Sequence, residues 1–113
     1  MYEYRCTLVR CIDGDTVDAD IDLGFGVKFR ERIRLYGIDA PEVRTRDLEE
    51  KRRGKLTTAR LNTILRDNNN QFYLKSITHG KYGRCVGIIY LNEGGKSVNS
   101  MLIEENLATP YTE

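Results

Sequence analysis

The sequence predicts a mainly β protein of the α+β class. We expect a five-stranded OB-fold barrel with one long helix after the third strand and a short C-terminal helix. Three consecutive segments alternate between apolar and polar residues and are separated by glycine-containing turns, a pattern typical of an antiparallel meander that curls into a barrel. A long helical segment then precedes two more strand-like segments. With 113 residues the chain has the length of one domain with one core, so we expect residues 1–113 to form a single domain.

The first three strands are predicted over residues 4–12, 16–23 and 27–36. The second strand has the clearest period of two, because apolar side chains and aspartates alternate along it. In the third strand the alternation is interrupted near Glu31, which predicts a β-bulge there. Cys6 and Cys11 have opposite parity on the first strand, so we expect them to face opposite sides of the sheet.

The long helix is predicted over residues 48–66. Asp47 is a suitable N-cap, and Glu50 three residues later would complete a capping box. Gly54 lies inside the helix, where glycine costs about 1 kcal/mol relative to alanine, and close packing of the helix on the barrel would explain it. The helix face toward the barrel is expected to contain Leu61, Ile64 and Leu65. Two more strands over residues 72–76 and 85–91, and a short helix over about 97–106, complete the prediction.

Composition excludes some classes of protein. The chain is 40% hydrophobic and 31% charged, and no apolar segment has the length of a membrane span, so we expect no membrane partner. Its three cysteines are an odd number without zinc-ligand spacing, which favours buried free thiols in a reducing compartment. The first residues lack the pattern of a secretory signal. We therefore expect a cytoplasmic protein, with secretion after processing as the alternative.

The net charge is only +1, but the charges are unevenly distributed. Between Ile12 and Asp22 there are five aspartates and no basic residue, whereas between Arg44 and Arg66 there are eight basic residues and three acidic ones. An acidic site beside a basic face suits a metal-dependent enzyme that acts on a polyanion. The alternative for the basic segment is an ordinary solvated helix.

Two aspartates are candidate metal ligands. Asp15 lies in the turn sequence Asp-Gly-Asp-Thr at residues 13–16 and opens the second strand, and Asp39 follows the third strand. If those strands pair, the two carboxylates could meet at one end of the sheet. Two carboxylates, a backbone carbonyl and waters would make a plausible Ca²⁺ site. Asp13 is better explained as a residue that supports the turn.

Other charged residues near these aspartates suit phosphate chemistry. Arg34 could bind two phosphate oxygens at once, and Glu42 could orient or deprotonate a water that attacks phosphorus. Arg84 follows a glycine at the start of a strand, while Lys81 and Tyr82 could hold a phosphate and stack on a base. Taken singly, each of these residues could equally be an exposed strand or loop side chain.

Three motifs together resemble the staphylococcal nuclease (thermonuclease) family. They are Asp-Gly-Asp-Thr at 13–16, Arg-Leu-Tyr-Gly-Ile-Asp-Ala-Pro-Glu at 34–42, and Lys-Tyr-Gly-Arg at 81–84. They occur in the family's order, and the resemblance extends from Leu8 to Ala108. The nine-residue motif is the most specific of the three.

The resemblance implies a Ca²⁺-dependent nuclease that hydrolyses phosphodiester bonds of DNA or RNA and leaves 3′-phosphate ends. The implied metal ligands are Asp15, Asp39 and the backbone carbonyl of Ala40. The implied catalytic residues are Arg34, Glu42 and Arg84. The implied substrate-binding residues are Lys81, Tyr82 and Tyr111. We expect a monomer whose partner is its nucleic acid substrate.

A rival interpretation is a nuclease-like barrel that binds nucleic acid or a protein without cutting. Such degenerate domains typically lack the arginines or carboxylates. This sequence keeps both arginines, Arg34 and Arg84, and all three carboxylates, Asp15, Asp39 and Glu42. A purely structural domain would leave the clustered aspartates unexplained. The sequence does not decide between DNA and RNA.

Overall fold

The structure, a computed structural model, describes residues 3–79 and 85–112, with only the backbone described at 78 and 79. In chain order the elements are β1 (Glu3–Asp13), β2 (Thr16–Gly24), β3 (Val27–Leu35), β4 (Ile38–Asp39), α1 (Leu48–Arg66), β5 (Gln71–His79), β6 (Cys85–Tyr90), α2 (Val98–Glu104) and β7 (Thr109–Pro110).

Five strands close into a barrel in the order β1-β2-β3-β6-β5, which confirms the predicted fold class. The β3–β6 pair is parallel and the other pairs are antiparallel. The barrel interior is filled by apolar side chains from each strand, and Leu61, Ile64 and Leu65 of α1 and Leu102 of α2 join the same core. The long helix follows β4 and precedes β5, so among the five barrel strands it lies between the third and the fourth in sequence, as predicted.

The expectation for the first two cysteines is wrong. The pairing between β1 and β2 shifts by one residue between Leu8 and Arg10. This bulge resets the alternation, so Cys6 pairs with Ile21 and Cys11 pairs with Val17. Both cysteines therefore share the inner face, where Cys6 belongs to the core and Cys11 packs against it. A local parity count fails because one extra residue in a strand reverses the facing of every residue after it.

The predicted bulge at Glu31 is also wrong. Glu31 pairs with Ala19 in an uninterrupted ladder that runs from Asp22 opposite Lys28 to Thr16 opposite Arg34. The register shift in this hairpin lies at its tip, between Asp22 and Gly24. Glu31 thus breaks the apolar pattern without a change of register, although its partner Ala19 is a buried core residue, so a polar residue at an inward parity is not by itself evidence of a bulge.

The hairpin of β2 and β3 ends in an exposed apolar tip. Leu23, Val27 and Phe29 are about half exposed, and Phe25 at the turn is fully exposed. Gly24, Phe25 and Gly26 all have positive φ, so the turn uses the conformation that glycine adopts most easily. This tip lies at the opposite end of the two strands from Thr16 and Arg34.

Helix α1 has the bounds that the sequence predicts, and its cap differs in one detail. The side chain of Asp47 accepts hydrogen bonds from the backbone N–H groups of Glu49 and Glu50. In a full capping box the Glu50 side chain would bind the Asp47 N–H. Here the Thr45 hydroxyl accepts that bond at 3.2 Å, so only half of the predicted box forms.

Two short strands were not predicted. Ile38 pairs with Pro110 and Asp39 with Thr109, which makes a small two-stranded sheet beside the barrel. Strands of two residues carry no periodicity, so their sequences give no strand signal. No helix in the described parts of the chain is long and apolar enough to cross a membrane.

All three cysteines are free thiols, as the sequence predicts. Burial raises the pKa of the Cys6 thiol from 9.0 to about 12 and that of Cys11 from 9.0 to about 11. Burial also raises the pKa of Cys85. The thiolate is the reactive form, so these thiols are poorly reactive at neutral pH in the folded protein.

We expect Cys6 to make the fold less stable in alkali. Below pH 9 the thiol is protonated in both folded and unfolded states, and above pH 9 only the unfolded thiol ionises until the pH approaches about 12. The free energy of unfolding should then fall by about 1.4 kcal/mol between pH 8 and pH 10 through this group alone. Urea unfolding of the wild type and Cys6→Ala at both pH values would measure it. Parallel pH dependences in the two proteins would contradict the assignment.

Candidate functional site

Asp15 is the buried centre of the site, with 8% of the residue exposed. Its Oδ2 atom accepts the backbone N–H of Ala40 at 2.9 Å, and its Oδ1 atom accepts the hydroxyl of Thr16 at 3.0 Å. Its backbone carbonyl accepts the N–H of Leu35 at 2.8 Å. These bonds join the turn before β2, the end of β3 and the chain after β4 at a single residue.

Arg34 lies between the two predicted metal-binding carboxylates. Its Nη1 is 3.4 Å from Oδ2 of Asp15, and its Nη2 is 3.9 Å from Oδ1 of Asp39. Nη1 also donates to the carbonyl of Leu35 at 3.0 Å. Only 15% of the side chain is exposed, so the guanidinium is held in place by several contacts. The ring of Tyr111 lies beside it, with 5.8 Å between the guanidinium carbon and the ring centroid.

The small sheet of β4 and β7 positions Asp39 and Tyr111. The Thr109 hydroxyl donates to the backbone carbonyl of Asp39 at 3.3 Å, and the Tyr111 N–H donates to the carbonyl of Gly37 at 2.9 Å. The Asp39 side chain is 60% exposed, so its carboxylate opens toward solvent while its backbone is fixed. The C-terminal part of the described chain thus contributes directly to the site.

The residues of the site share a cleft of about 410 Å³. Among its lining residues are Asp15, Arg34, Asp39, Ala40, Glu42 and Arg44. The structure therefore brings together the predicted metal ligands, one predicted catalytic arginine and the predicted catalytic carboxylate, while their roles stay predictions. Tyr111 is not among the lining residues of the cleft, but its ring contacts Arg34, which is. Lys81, Tyr82 and Arg84 lie outside the described residues.

The donor set at this cleft suits a hard cation. Each oxygen of Asp15 accepts one hydrogen bond, which leaves a second lone pair on each, and the exposed carboxylate of Asp39 lies across Arg34 from it. Carboxylate oxygens are the ligands that Ca²⁺ prefers. The described residues contain no group of three or more His, Cys, Asp or Glu side chains arranged to hold a metal. A bound ion would therefore need backbone carbonyl, water or substrate oxygens as well.

Helix α1 supports both loops of the cleft through two small contacts. A Cβ atom on Gly54 would lie 2.7 Å from the carbonyl oxygens of both Pro41 and Glu42, so only glycine allows the helix to approach this loop so closely. One turn later, a Cβ atom on Gly14 would overlap the side chain of Thr57. The sequence singled out Gly54 as a helix-weakening residue, and this contact explains it.

Two buried polar residues that sequence reasoning missed also support the site. The Thr57 hydroxyl donates to the carbonyl of Leu107 at 2.7 Å, which ties α1 to the segment before β7. Asn99 of α2 donates to the carbonyl of Tyr36 at 2.8 Å and accepts the N–H of Ile89 at 3.1 Å. A polar residue at an inward position of a helix is the signal that could have found them, because buried polar groups are retained for their hydrogen bonds.

Comparison with known proteins points to one family. Residues 32–113 match the family model described as staphylococcal nuclease homologue. The chain is 29% identical over 116 residues to a protein named Protein ParB from Escherichia coli, and 28% identical over 116 residues to a micrococcal nuclease from Shigella flexneri. Each alignment covers 96% of this chain but only 58% and 59% of the relatives, so the chain spans less than two thirds of their length.

We expect Gly54→Ala to destabilise the protein although alanine is the better helix former. The gain in helix propensity is about 1 kcal/mol, whereas overpacking typically costs about 1–3 kcal/mol, and the clashing atoms here are backbone oxygens that cannot rotate away. The net expectation is a loss of up to about 2 kcal/mol, seen as a lower Tm in thermal unfolding. Gly95→Ala is the control, since its nearest neighbour would be 3.6 Å away. A higher Tm for Gly54→Ala would show that the helix does not hold the loop.

Proposed function

The chain belongs to the staphylococcal nuclease family, and we propose that it is a Ca²⁺-dependent nuclease that hydrolyses phosphodiester bonds of DNA or RNA. The observation that carries the proposal is the position of Arg34 between Asp15 and Asp39, in the same cleft as Glu42. A cleft that combines carboxylates, a fixed arginine and a further carboxylate can bind a cation, a phosphate and a water together. The similarity to a micrococcal nuclease supports the same reaction class.

In the proposed mechanism, Asp15, Asp39 and the carbonyl of Ala40 would hold Ca²⁺, which when bound polarises a phosphate oxygen as a Lewis acid. The Ala40 N–H, the Thr16 hydroxyl and the Arg34 guanidinium all face the buried Asp15 carboxylate and hold it in place. Asp39 is exposed and is therefore free to reorganise when a ligand enters.

Arg34 and Glu42 would act on the phosphate and the water. The guanidinium of Arg34 offers two parallel N–H donors to nonbridging phosphate oxygens and stabilises the negative charge that builds up as water attacks phosphorus. Glu42 lines the same cleft and is exposed, so it can orient a water and accept its proton. Arg84, the second arginine that the resemblance implies, would stabilise the same transition state. The leaving group would be the 5′ oxygen, so that the phosphate stays on the 3′ side.

Substrate binding would involve the aromatic residues around the cleft. Tyr111 contacts Arg34 at the edge of the site and is 47% exposed, so its ring offers a face for a sugar or base. Lys81 and Tyr82 would hold a neighbouring phosphate and base, as the resemblance implies. The protein would act as a monomer.

The second candidate function is a barrel that binds nucleic acid without cutting it. The cleft favours the enzyme, because a pure binding site for a polyanion has no use for exposed carboxylates such as Asp39 and Glu42 beside its arginine. Cleavage assays separate the two functions directly.

We expect cleavage of plasmid DNA or of RNA with Ca²⁺ and none in excess chelator, because the proposed site binds its cation only through oxygen ligands. Asp39→Asn should weaken Ca²⁺ binding, measured by calorimetry, and should reduce turnover at least tenfold. Asp67→Asn at the end of α1 is the control and should match the wild type. Full activity in EDTA would exclude the metal mechanism.

We expect Arg34→Lys and Glu42→Gln each to lower kcat by about 10²–10³, the typical cost of losing one preorganised group from a charged transition state. Lysine cannot reproduce the planar pair of donors, and glutamine keeps the shape of Glu42 but cannot take a proton. Single-turnover cleavage of an oligonucleotide measures the effect, with circular dichroism to confirm folding. Arg30→Lys is the matched control, because Arg30 pairs with Asp20 on the outer face of the hairpin. If the wild type binds the oligonucleotide without cutting it, the barrel is a binding module.

A further inference from the structure

The cleft itself gives a polyanion little attraction. Four acidic residues line it, at positions 13, 15, 39 and 42, against three arginines at positions 32, 34 and 44. Arg32 is already paired with Asp18 at 2.9 Å, and Arg34 faces Asp15 and Asp39. One bound cation could offset the excess negative charge of the cleft at the scissile phosphate. Affinity for a longer strand must come from positive charges outside this acidic centre.

The chain that leaves the cleft at Arg44 and continues into α1 carries several cations without ion-pair partners among the described residues. We call this set the basic rim; within the described residues it consists of Arg44, Arg46, Lys51, Arg53 and Lys55. Other arginines are held by acids, as Arg52 is by Glu49 and Arg60 is by Glu105. Unpaired guanidinium groups can bind phosphate without first losing an internal partner.

The chain from Asp39 to Glu42 forms a ridge between two depressions. The first depression is the cleft, which Arg44 lines. The second, also about 410 Å³, is lined by all four ridge residues, of which all but Pro41 also line the cleft. Helix α1 bounds it on its far side. Arg53 is the cation that lines it, while Leu56 and Leu107 give it an apolar wall. Glu50 is also present there. Thus each depression has an unpaired arginine of the basic rim beside the ridge that carries Glu42.

We propose that Arg44 and Arg53 bind phosphates on opposite sides of the scissile phosphate, so that the substrate is a nucleic acid strand that crosses the ridge. This inference rests on the proposed function for the position of the scissile phosphate. The apolar wall beside Arg53 suits a sugar or base, and Arg53 itself suits the adjoining phosphate. A strand held on both sides of the cut places a bond between two bound phosphates at Glu42.

The binding test needs no catalysis. Fluorescence anisotropy would follow a labelled single-stranded oligonucleotide in chelator, from 50 to 300 mM KCl, with DNA and RNA versions run separately. Loss of one phosphate contact reduces the slope of log K against log salt by about 0.7 for a single strand. We expect this reduction for Arg44→Gln and for Arg53→Gln, and about twice that for the double variant. Arg66→Gln is the control, since Arg66 is an unpaired arginine about 20 Å further along the same helix.

The activity test separates this inference from the proposed function. With Ca²⁺, Arg44→Gln and Arg53→Gln should raise KM for an oligonucleotide severalfold and leave hydrolysis of bis(4-nitrophenyl) phosphate, which has no flanking phosphates, unchanged. Salt slopes equal to the wild type in both variants would overturn the inference, even if the enzyme cuts. Equal losses on both substrates would also overturn it, since the arginines would then act at the scissile phosphate. A wild type that does not cut would refute the nuclease proposal, while the salt slopes would still decide whether the basic rim binds nucleic acid.

Discussion

The carboxylate of Asp15 is a charge that folding removes from water, and the site is organised around satisfying it. An isolated buried carboxylate is strongly unfavourable, and removing a partner from a buried pair typically costs about 3–5 kcal/mol. Here the partners come from separate parts of the chain: the Ala40 N–H from the ridge, the Thr16 hydroxyl from β2 and the guanidinium of Arg34 from β3. The barrel cannot place Asp15 without also placing Arg34 and the start of the ridge. The buried charge therefore couples the stability of the fold to the geometry of the cleft.

Helix α1 supplies the second half of that geometry. Its close approach at Gly54 fixes the carbonyls of Pro41 and Glu42, and its Thr57 hydroxyl holds Leu107 just before the strand that pairs with Asp39. The same helix carries Lys51, Arg53 and Lys55 of the basic rim. The helix thus supports the ridge through small residues and also carries basic side chains. Its close approach to the ridge explains why glycine is tolerated in its interior.

Most of the barrel could be predicted because its signals are local. Alternation in β2, the Asp47 cap and the apolar spacing of α1 each depend on a few neighbouring residues, and all appear in the structure. The failures depend on partners distant in sequence. The bulge after Leu8 is defined only by its register with β2, and the β4–β7 sheet exists only because residues about seventy positions apart meet. The same holds for the site. Its motif residues could be predicted from local sequence, whereas Thr57 and Asn99 could not, because each acts by a hydrogen bond to a carbonyl distant in sequence.

The long hairpin of β2 and β3 has one end that is fixed by the site and a tip whose length and sequence can vary. Its ladder is anchored at the barrel by Thr16 opposite Arg34 and continues without interruption to Asp22 opposite Lys28. Because the side-chain period of a strand is two, inserting or deleting matched pairs of residues near the tip would preserve the facing of every residue at the anchored end. The hairpin can therefore vary in length over evolution, and its tip can acquire new sequences, without moving Asp15 relative to Arg34. Variation among homologous chains should accordingly concentrate at this tip, far from the chemistry.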